Sequence, residues 1–350
     1  VTALFQNLEI QRLSRDNRLL ALSLFLWGLG EGLTLYIRPV YLAELGASPS
    51  AIGSAIALAF AAGTITHIPA GYLADRFGRK QLLLAGWIIG IFATGVMYLA
   101  RDLQTFVIGL VIYMFTGFVV APINAYVTAA RGEQSVQRAL TLVSAGFWSG
   151  NILSPALGGQ IGEVFGLRTV YGLAIIAYIA STVALFFLRA QPLSPPIAGA
   201  KRYDALFANR RFIGFLILMF FALNAMQLGL PFAPNFVKDV RGFDVGDIGL
   251  FGSVTSLAAV TLNLLFGQRA PRRGFLFAQS LVLVYLGLLL FVPAYGGLLL
   301  AFAFQAGWNF SRSMMIAQVG RVVEAHELGL AYGLLETVGS SVLIIGPYLA

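Results

Sequence analysis

Eleven runs of roughly twenty mostly apolar residues follow one another along this sequence, and no other feature constrains the fold as strongly. They lie at about 19–42, 49–73, 81–100, 104–130, 139–161, 166–188, 212–236, 245–267, 273–293, 296–321 and 328–350. A helix needs about 20 such residues to cross a bilayer, where only helices and closed barrels satisfy their own backbone. With 58% hydrophobic and 11% charged residues and a mean hydropathy of +0.82, a water-soluble globule would expose apolar patches that soluble monomers do not carry. Soluble enzymes and nucleic-acid-binding proteins are excluded, and an all-α, multi-pass membrane protein is expected. Residues 1–18 interleave Leu4, Phe5, Leu8 and Leu13 with Arg12, Arg15 and Arg18, which predicts an interfacial helix ahead of the first span.

The net charge of +8 has a topological reading. Seventeen of the 23 Lys and Arg fall at the amino terminus or in the even-to-odd connections, and four fall on the opposite side. The positive-inside rule then places the amino terminus in the cytoplasm, in a plasma (inner) membrane. The basic balance needs no nucleic-acid partner. With no cysteine and only His67 and His326, neither a thiolate site nor a zinc cluster can be assembled, so no metal or cofactor is expected.

The sequence also repeats. The one long polar interruption, 189–211, is rich in Pro, Ala and charge and reads as a linker between residues 19–188 and 212–350. At an offset of 196, Gly46, Ile52 and Gly53 meet Gly242, Ile248 and Gly249, and Gly71, Arg76 and Gly78 meet Gly267, Arg272 and Gly274. Two six-helix units fit, the second stopping inside its fifth helix at Ala350, so the chain is expected to be part of a longer one. Tandem repeats around a central site are the usual build of secondary transporters.

Residues 71–80 read GYLADRFGRK. This resembles the signature loop of the major facilitator superfamily, G-x-L-A-D-R-x-G-R-K, and every specified position matches. The resemblance implies two pseudo-symmetric six-helix bundles rocking about a central cavity lined by spans 1, 4, 7 and 10. It also implies a gate role for Gly71, Asp75, Arg76, Gly78, Arg79 and Lys80. Asp75 sits past the carboxyl end of its own helix, where the dipole disfavours an anion. Its expected partners are Arg79 and the start of span 11. Gly78 is expected to make the turn, and Arg76 and Lys80 to reach lipid phosphates. The matching segment of the second half, GQRAPRRG at 267–274, has Pro271 in place of Asp75.

Ionisable groups inside a bilayer are costly and mark function. Four are clear cases, well inside their spans: Glu31, Arg38, Arg312 and Glu336. Glu31, in the middle of span 1, is read as the proton or cation site, because a carboxyl held away from water keeps its proton to higher pH. Arg38 lies two turns on, about 10 Å along an ideal helix, long for direct contact but compatible with a water or ligand between them. Arg312 and Glu336 sit at similar depth on adjacent spans and pair with each other or shape the cavity. Softer cavity residues are Tyr36, Asn124, Gln227, Trp308 and Asn309, with Asn151, Asn224, Asn235 and Gln305 beside them. Gln227 is the repeat partner of Glu31. His67 and Trp148 read as structural.

Span 5 contains GNILSPALGG, similar to the superfamily's antiporter motif at Gly150, Pro155, Gly158 and Gly159, with Thr141 and Ser154 at two glycine positions. In the family that pattern goes with export and with close packing between halves. The drug-efflux pattern also places an Arg in span 4, but residues 104–130 contain none, which leaves Arg38 as the substitute. The expected function is export of small amphipathic compounds in exchange for protons by alternating access, by a monomer among membrane lipids. Two alternatives stay open: a lipid or lysolipid translocator of the same fold, and a membrane sensor that binds without transporting. No nucleophile–histidine–acid set points to an enzyme.

Overall fold

A computed structural model describes residues 13–134, 136–191, 207–227, 229–266, 271–319, 322–323 and 328–349. Helices account for nearly all of them. In the first half these are α1 (Arg15–Leu35), α2 (Arg38–Glu44), α3 (Pro49–Phe77), α4 (Arg79–Leu99), α5 (Leu103–Phe115), α6 (Val120–Ala129), α7 (Val136–Phe165) and α8 (Leu167–Phe186). The second half has α9 (Arg210–Gln227), α10 (Ala233–Asp239), α11 (Val245–Phe266), α12 (Pro271–Phe291), α13 (Tyr295–Gln305), α14 (Gly307–Val319) and α15 (Leu328–Leu349). Together they occupy all eleven apolar runs. Eight stretches among the described residues are long and apolar enough to cross a membrane. Of the remaining runs, α7 is diluted by Arg138, Gln160 and Glu163, and the tenth is divided at Ala306 into α13 and α14.

The first span starts earlier than the sequence pattern predicts. Ser14 caps α1 by accepting from the Asn17 amide at 3.2 Å, so Arg15 and Arg18 form its first turn rather than part of a separate interfacial helix. Residues 1–12 and 192–206 lie outside the described residues. Short turns join antiparallel neighbours. Gly46, Gly78, Gly166 and Gly242 supply positive φ of +90°, +90°, +83° and +75°, a region that favours glycine. Asp102 caps α5, and the amide and hydroxyl of Thr105 hold its carboxyl below the usual carboxylate range.

Two spans are broken at corresponding places. The first passes from α1 to α2 through a turn at Tyr36 and Ile37, with Pro39 in the first turn of α2. The seventh ends as α9 at Gln227 and resumes through Gly229 (φ +74°), a 3-10 turn at Leu230–Phe232 and α10. Pro231 and Pro234, which cannot donate to a helix interior, account for the second break.

α1 packs against α7 and α8 within the first half, while α7 against α11, α3 against α15 and, more lightly, α2 against α10 cross between halves. On α7, glycines make both of its close contacts. A Cβ on Gly150 would strike the backbone of Phe25, Gly28 and Leu29, and one on Gly158 the backbone of Leu33, all in α1. A Cβ on Gly159 would strike Val245 and Gly249 of α11. The motif expected to join the halves therefore divides its work: Gly150 and Gly158 seat span 1 within the first half, and Gly159 with Pro155 meets the second. Pro155 also disrupts the α7 hydrogen-bond ladder, and the Ala156 amide donates instead to Ser253 Oγ on α11 at 2.9 Å.

Candidate functional site

The α1–α2 break determines the site. On an uninterrupted helix Glu31 and Arg38 stand about 10 Å apart, as the sequence predicts. Across the turn at Tyr36 and Ile37, the Arg38 guanidinium instead reaches back and donates from Nη2 to Glu31 Oε1 at 3.1 Å. Both side chains are largely buried, 10% and 14% exposed. The direct ion pair replaces the water or ligand expected between them.

Two tyrosines complete the carboxylate's surroundings. Tyr113 of α5 donates to Glu31 Oε2, and Tyr178 of α8 lies 3.0 Å from the Tyr113 hydroxyl and 3.4 Å from the same carboxylate oxygen. Trp27 stacks on Tyr178 with centroids 4.1 Å apart, and Gly30 leaves the space that Tyr178 fills. The Arg38 guanidinium also lies 5.8 Å from the centre of the Tyr113 ring. One layer along, Trp87 donates to Ser181 Oγ at 2.7 Å and Ser23 meets the same hydroxyl at 2.9 Å. These partners come from spans 3, 4 and 6, and the sequence reading did not single them out. The available signal was Tyr113 and Tyr178, hydroxyls inside runs otherwise apolar enough to face lipid.

On the other side of Arg38, a cavity of about 280 Å³ lies between the halves. The first half lines it with Leu35, Tyr36, Arg38, Pro39, Ile56, Phe60, Leu110 and Met114, and the second with Gln227, Thr255, Gln305, Trp308, Asn309 and Leu343. Arg38 is the one charged side chain among the described lining residues. Tyr36 faces the second half, against Gly252, and so turns away from Glu31. Gln227, Trp308 and Asn309 line this cavity from the second half. Gln227 is 6% exposed and its Oε1 has no hydrogen-bond partner. Thr255 Oγ1 lies 2.8 Å from Phe302 O and 3.0 Å from Gln305 Oε1.

Other expectations fare differently. Asn124 is exposed on α6 and is not among the cavity-lining residues. Asn151 donates to Phe147 O within α7, and Asn224 to Phe220 O within α9. Arg312 extends toward Gly339 of α15, its Nη2 3.8 Å from where a Cβ would stand, while Gly71 and the side chains of His67, Asp75 and Glu336 are described only as far as their helical backbone. At the signature loop, Arg79 donates to Ala125 O at 3.3 Å and to Gln191 Oε1, in the first residues of the linker, at 2.9 Å. Lys80 donates to Phe186 O at 2.9 Å over the Phe186 ring, and Arg76 lies over Phe77.

The helices that fill the apolar runs, the inward carboxylate and the cavity between the halves coincide with a family match. The model of the Major Facilitator Superfamily covers residues 20–347. The chain belongs to the major facilitator superfamily.

Among relatives within the superfamily, the chain is 26% identical over 258 residues to Multidrug resistance protein 1 of Bacillus subtilis (strain 168), covering 71% of this chain and 66% of that protein. Against Multidrug resistance protein 2 of the same organism it is 26% identical over 349 residues, covering 93% and 86%. Against Multidrug resistance protein MdtG of Proteus mirabilis (strain HI4320) it is 25% identical, covering 77% and 69%. Among solved structures, a mutant of the nucleoside transporter NupG superimposes with a TM-score of 0.81 at 15% identity, covering 96% of this chain and 90% of that one. A bacterial homologue of the human lysosomal transporter Spinster gives 0.72 at 17%, covering 95% and 80%. At these identities the structural likeness is one of fold. The chain is a multi-pass membrane protein of this transporter superfamily.

Proposed function

We propose that the protein exports small amphipathic cations in exchange for protons, by alternately opening the two ends of its central cavity. The observation that carries this reading is Arg38, which is at once the ion-pair partner of Glu31 and the one charged side chain among the described residues lining the cavity. With Glu31 ionised the pair is neutral, and the cavity, walled by Tyr36, Phe60 and Trp308, accommodates a flat apolar cation. A proton on Glu31 leaves the Arg38 charge unmatched at the cavity wall. Two like unit charges about 6 Å apart at an effective dielectric of about 20 repel by about 3 kcal/mol, roughly a hundredfold in affinity. Proton and cation thereby exclude one another, which is the requirement for exchange.

The names of the multidrug resistance relatives support the export direction, and the excess of basic residues at the amino-terminal end supports a cytoplasmic amino terminus in the inner membrane. A monomer surrounded by lipid suffices, since the cavity lies within one chain.

The test uses everted membrane vesicles containing the protein, with an imposed pH gradient driving uptake of a lipophilic cationic dye. Wild type accumulates dye, and Glu31→Gln, made at equal abundance, does not. Absence of dye movement in wild type under either gradient overturns cation export and leaves lysolipids as the next substrates to try.

A further inference from the structure

The central cavity shares a wall with a second, larger one of about 840 Å³ at the end of the bundle opposite the amino terminus. The wall consists of the two broken-span pieces, α2 and the segment 229–236. Pro39, Pro231 and Pro234 face the central cavity, and Ala43, Phe232 and Asn235 face the second. One hydrogen bond crosses this wall between the halves, from Asn235 Nδ2 to Pro39 O at 3.2 Å.

We propose that the second cavity is a binding site for lipophilic amines, compounds with an apolar body and one protonated nitrogen that carries an N–H. The proposal rests on the export reading above: this is where the cation pauses after it has passed the wall. Because a carbonyl only accepts, the bond to Pro39 fixes Asn235 with its amide nitrogen on that oxygen. Its Oδ1 is then left buried and without a partner on a residue that lines the cavity. An unmet acceptor calls for a ligand donor. Asp239 is the one charged side chain among the described lining residues. Of the neighbouring cations, Lys238 pairs with Glu44 at 3.2 Å and Arg241 donates to Leu289 O at 2.9 Å. Leu286, Leu289, Ile52 and Phe232 provide the apolar floor. The volume suits a drug-sized molecule. A positive nitrogen near Asp239, with its N–H on Asn235, answers both the charge of the lining and its buried unmet acceptor.

The proposal is tested by titrating the purified full chain in nanodiscs with rhodamine 6G, a lipophilic cation with N–H groups, and with tetraphenylphosphonium, which has none. Wild type binds two rhodamine molecules. Ser54→Trp, which fills the cavity from an exposed position on α3, and Asp239→Asn each weaken one of the two sites by about tenfold or more and leave the other within twofold. Tetraphenylphosphonium occupies the second site at least tenfold more weakly than rhodamine. A single rhodamine site in wild type, or two sites undisturbed in both variants, overturns the proposal. So does native mass spectrometry showing a phospholipid that Ser54→Trp displaces while rhodamine stoichiometry stays constant. If one site is found while pH-driven uptake in vesicles is normal, only this proposal falls; if neither binding nor uptake is seen, the export reading falls with it.

Discussion

Asn235 donates to the backbone carbonyl of Pro39 across 196 residues of sequence, the same offset at which the two halves repeat. Equivalent positions of two repeats touch where the pseudo-symmetry axis passes, so this bond marks the axis. Around it, at the end opposite the amino terminus, Lys238 pairs with Glu44 at 3.2 Å, Glu163 Oε2 accepts from the Val245 amide at 2.9 Å, and Gly159 nests against Gly249. These contacts hold the halves together at that end. Rocking about the axis must part them.

Replacing Asn235 with Leu removes the axial bond and keeps most of the volume. The chain contains no cysteine, so a Glu44→Cys, Lys238→Cys pair reports closure of this end without background. Oxidative cross-linking of the pair should fall severalfold on adding Asn235→Leu. Unchanged cross-linking would mean that the axial bond does not hold the end shut.

Two glycine substitutions should separate folding from gating. Gly150→Val drives a side chain into the α1 backbone inside one half, so it should lower abundance and thermal stability sharply. Gly249→Val collides with Pro155 O and Gly159 across the seam, where the halves can move apart as bodies. It should leave the protein folded, suppress the 44–238 cross-link and stop net transport. Equal loss of abundance in both variants would contradict this division.

Arg38→Ala leaves Glu31 buried with its charge unmatched. Removing one member of a buried pair costs about 3–5 kcal/mol, whereas neutralising both members costs less. The apparent melting temperature in detergent should therefore drop strongly for Arg38→Ala, and Arg38→Ala with Glu31→Gln should recover much of the loss. Additive effects would show that the 3.1 Å contact contributes little.

The helical runs, the 196-residue offset and the placement of Glu31 on the first run were legible in sequence because each depends on local composition or on a chain offset. The Glu31–Arg38 contact was not. Ideal helical spacing separates the two, and only the break at Tyr36 and Ile37 brings them together, which a run of apolar residues does not announce. Tyr113 and Tyr178 were hidden for another reason: nothing in spans 4 and 6 indicates which face turns toward span 1. The glycines of α7 were legible as close-packing positions, yet which neighbour each one meets depends on the third dimension.

The basic residues after the second span lead to a last expectation. Arg79 meets Gln191, just past the end of α8, and Gln191 Nε2 also donates to Tyr126 O at 2.9 Å, while Tyr126 donates its hydroxyl to Arg189 O at 2.7 Å. Through these bonds the signature loop holds the first residues of the linker against α6. Gln191→Leu interrupts both of its contacts without touching a charge, and so tests whether Arg79 acts through the linker. It should lower dye export by a substantial part of the loss seen in Arg79→Ala, and the double variant should be no worse than Arg79→Ala alone. The two losses simply multiplying would show that Arg79 works through a different partner, with Gln191 serving only the packing of α6.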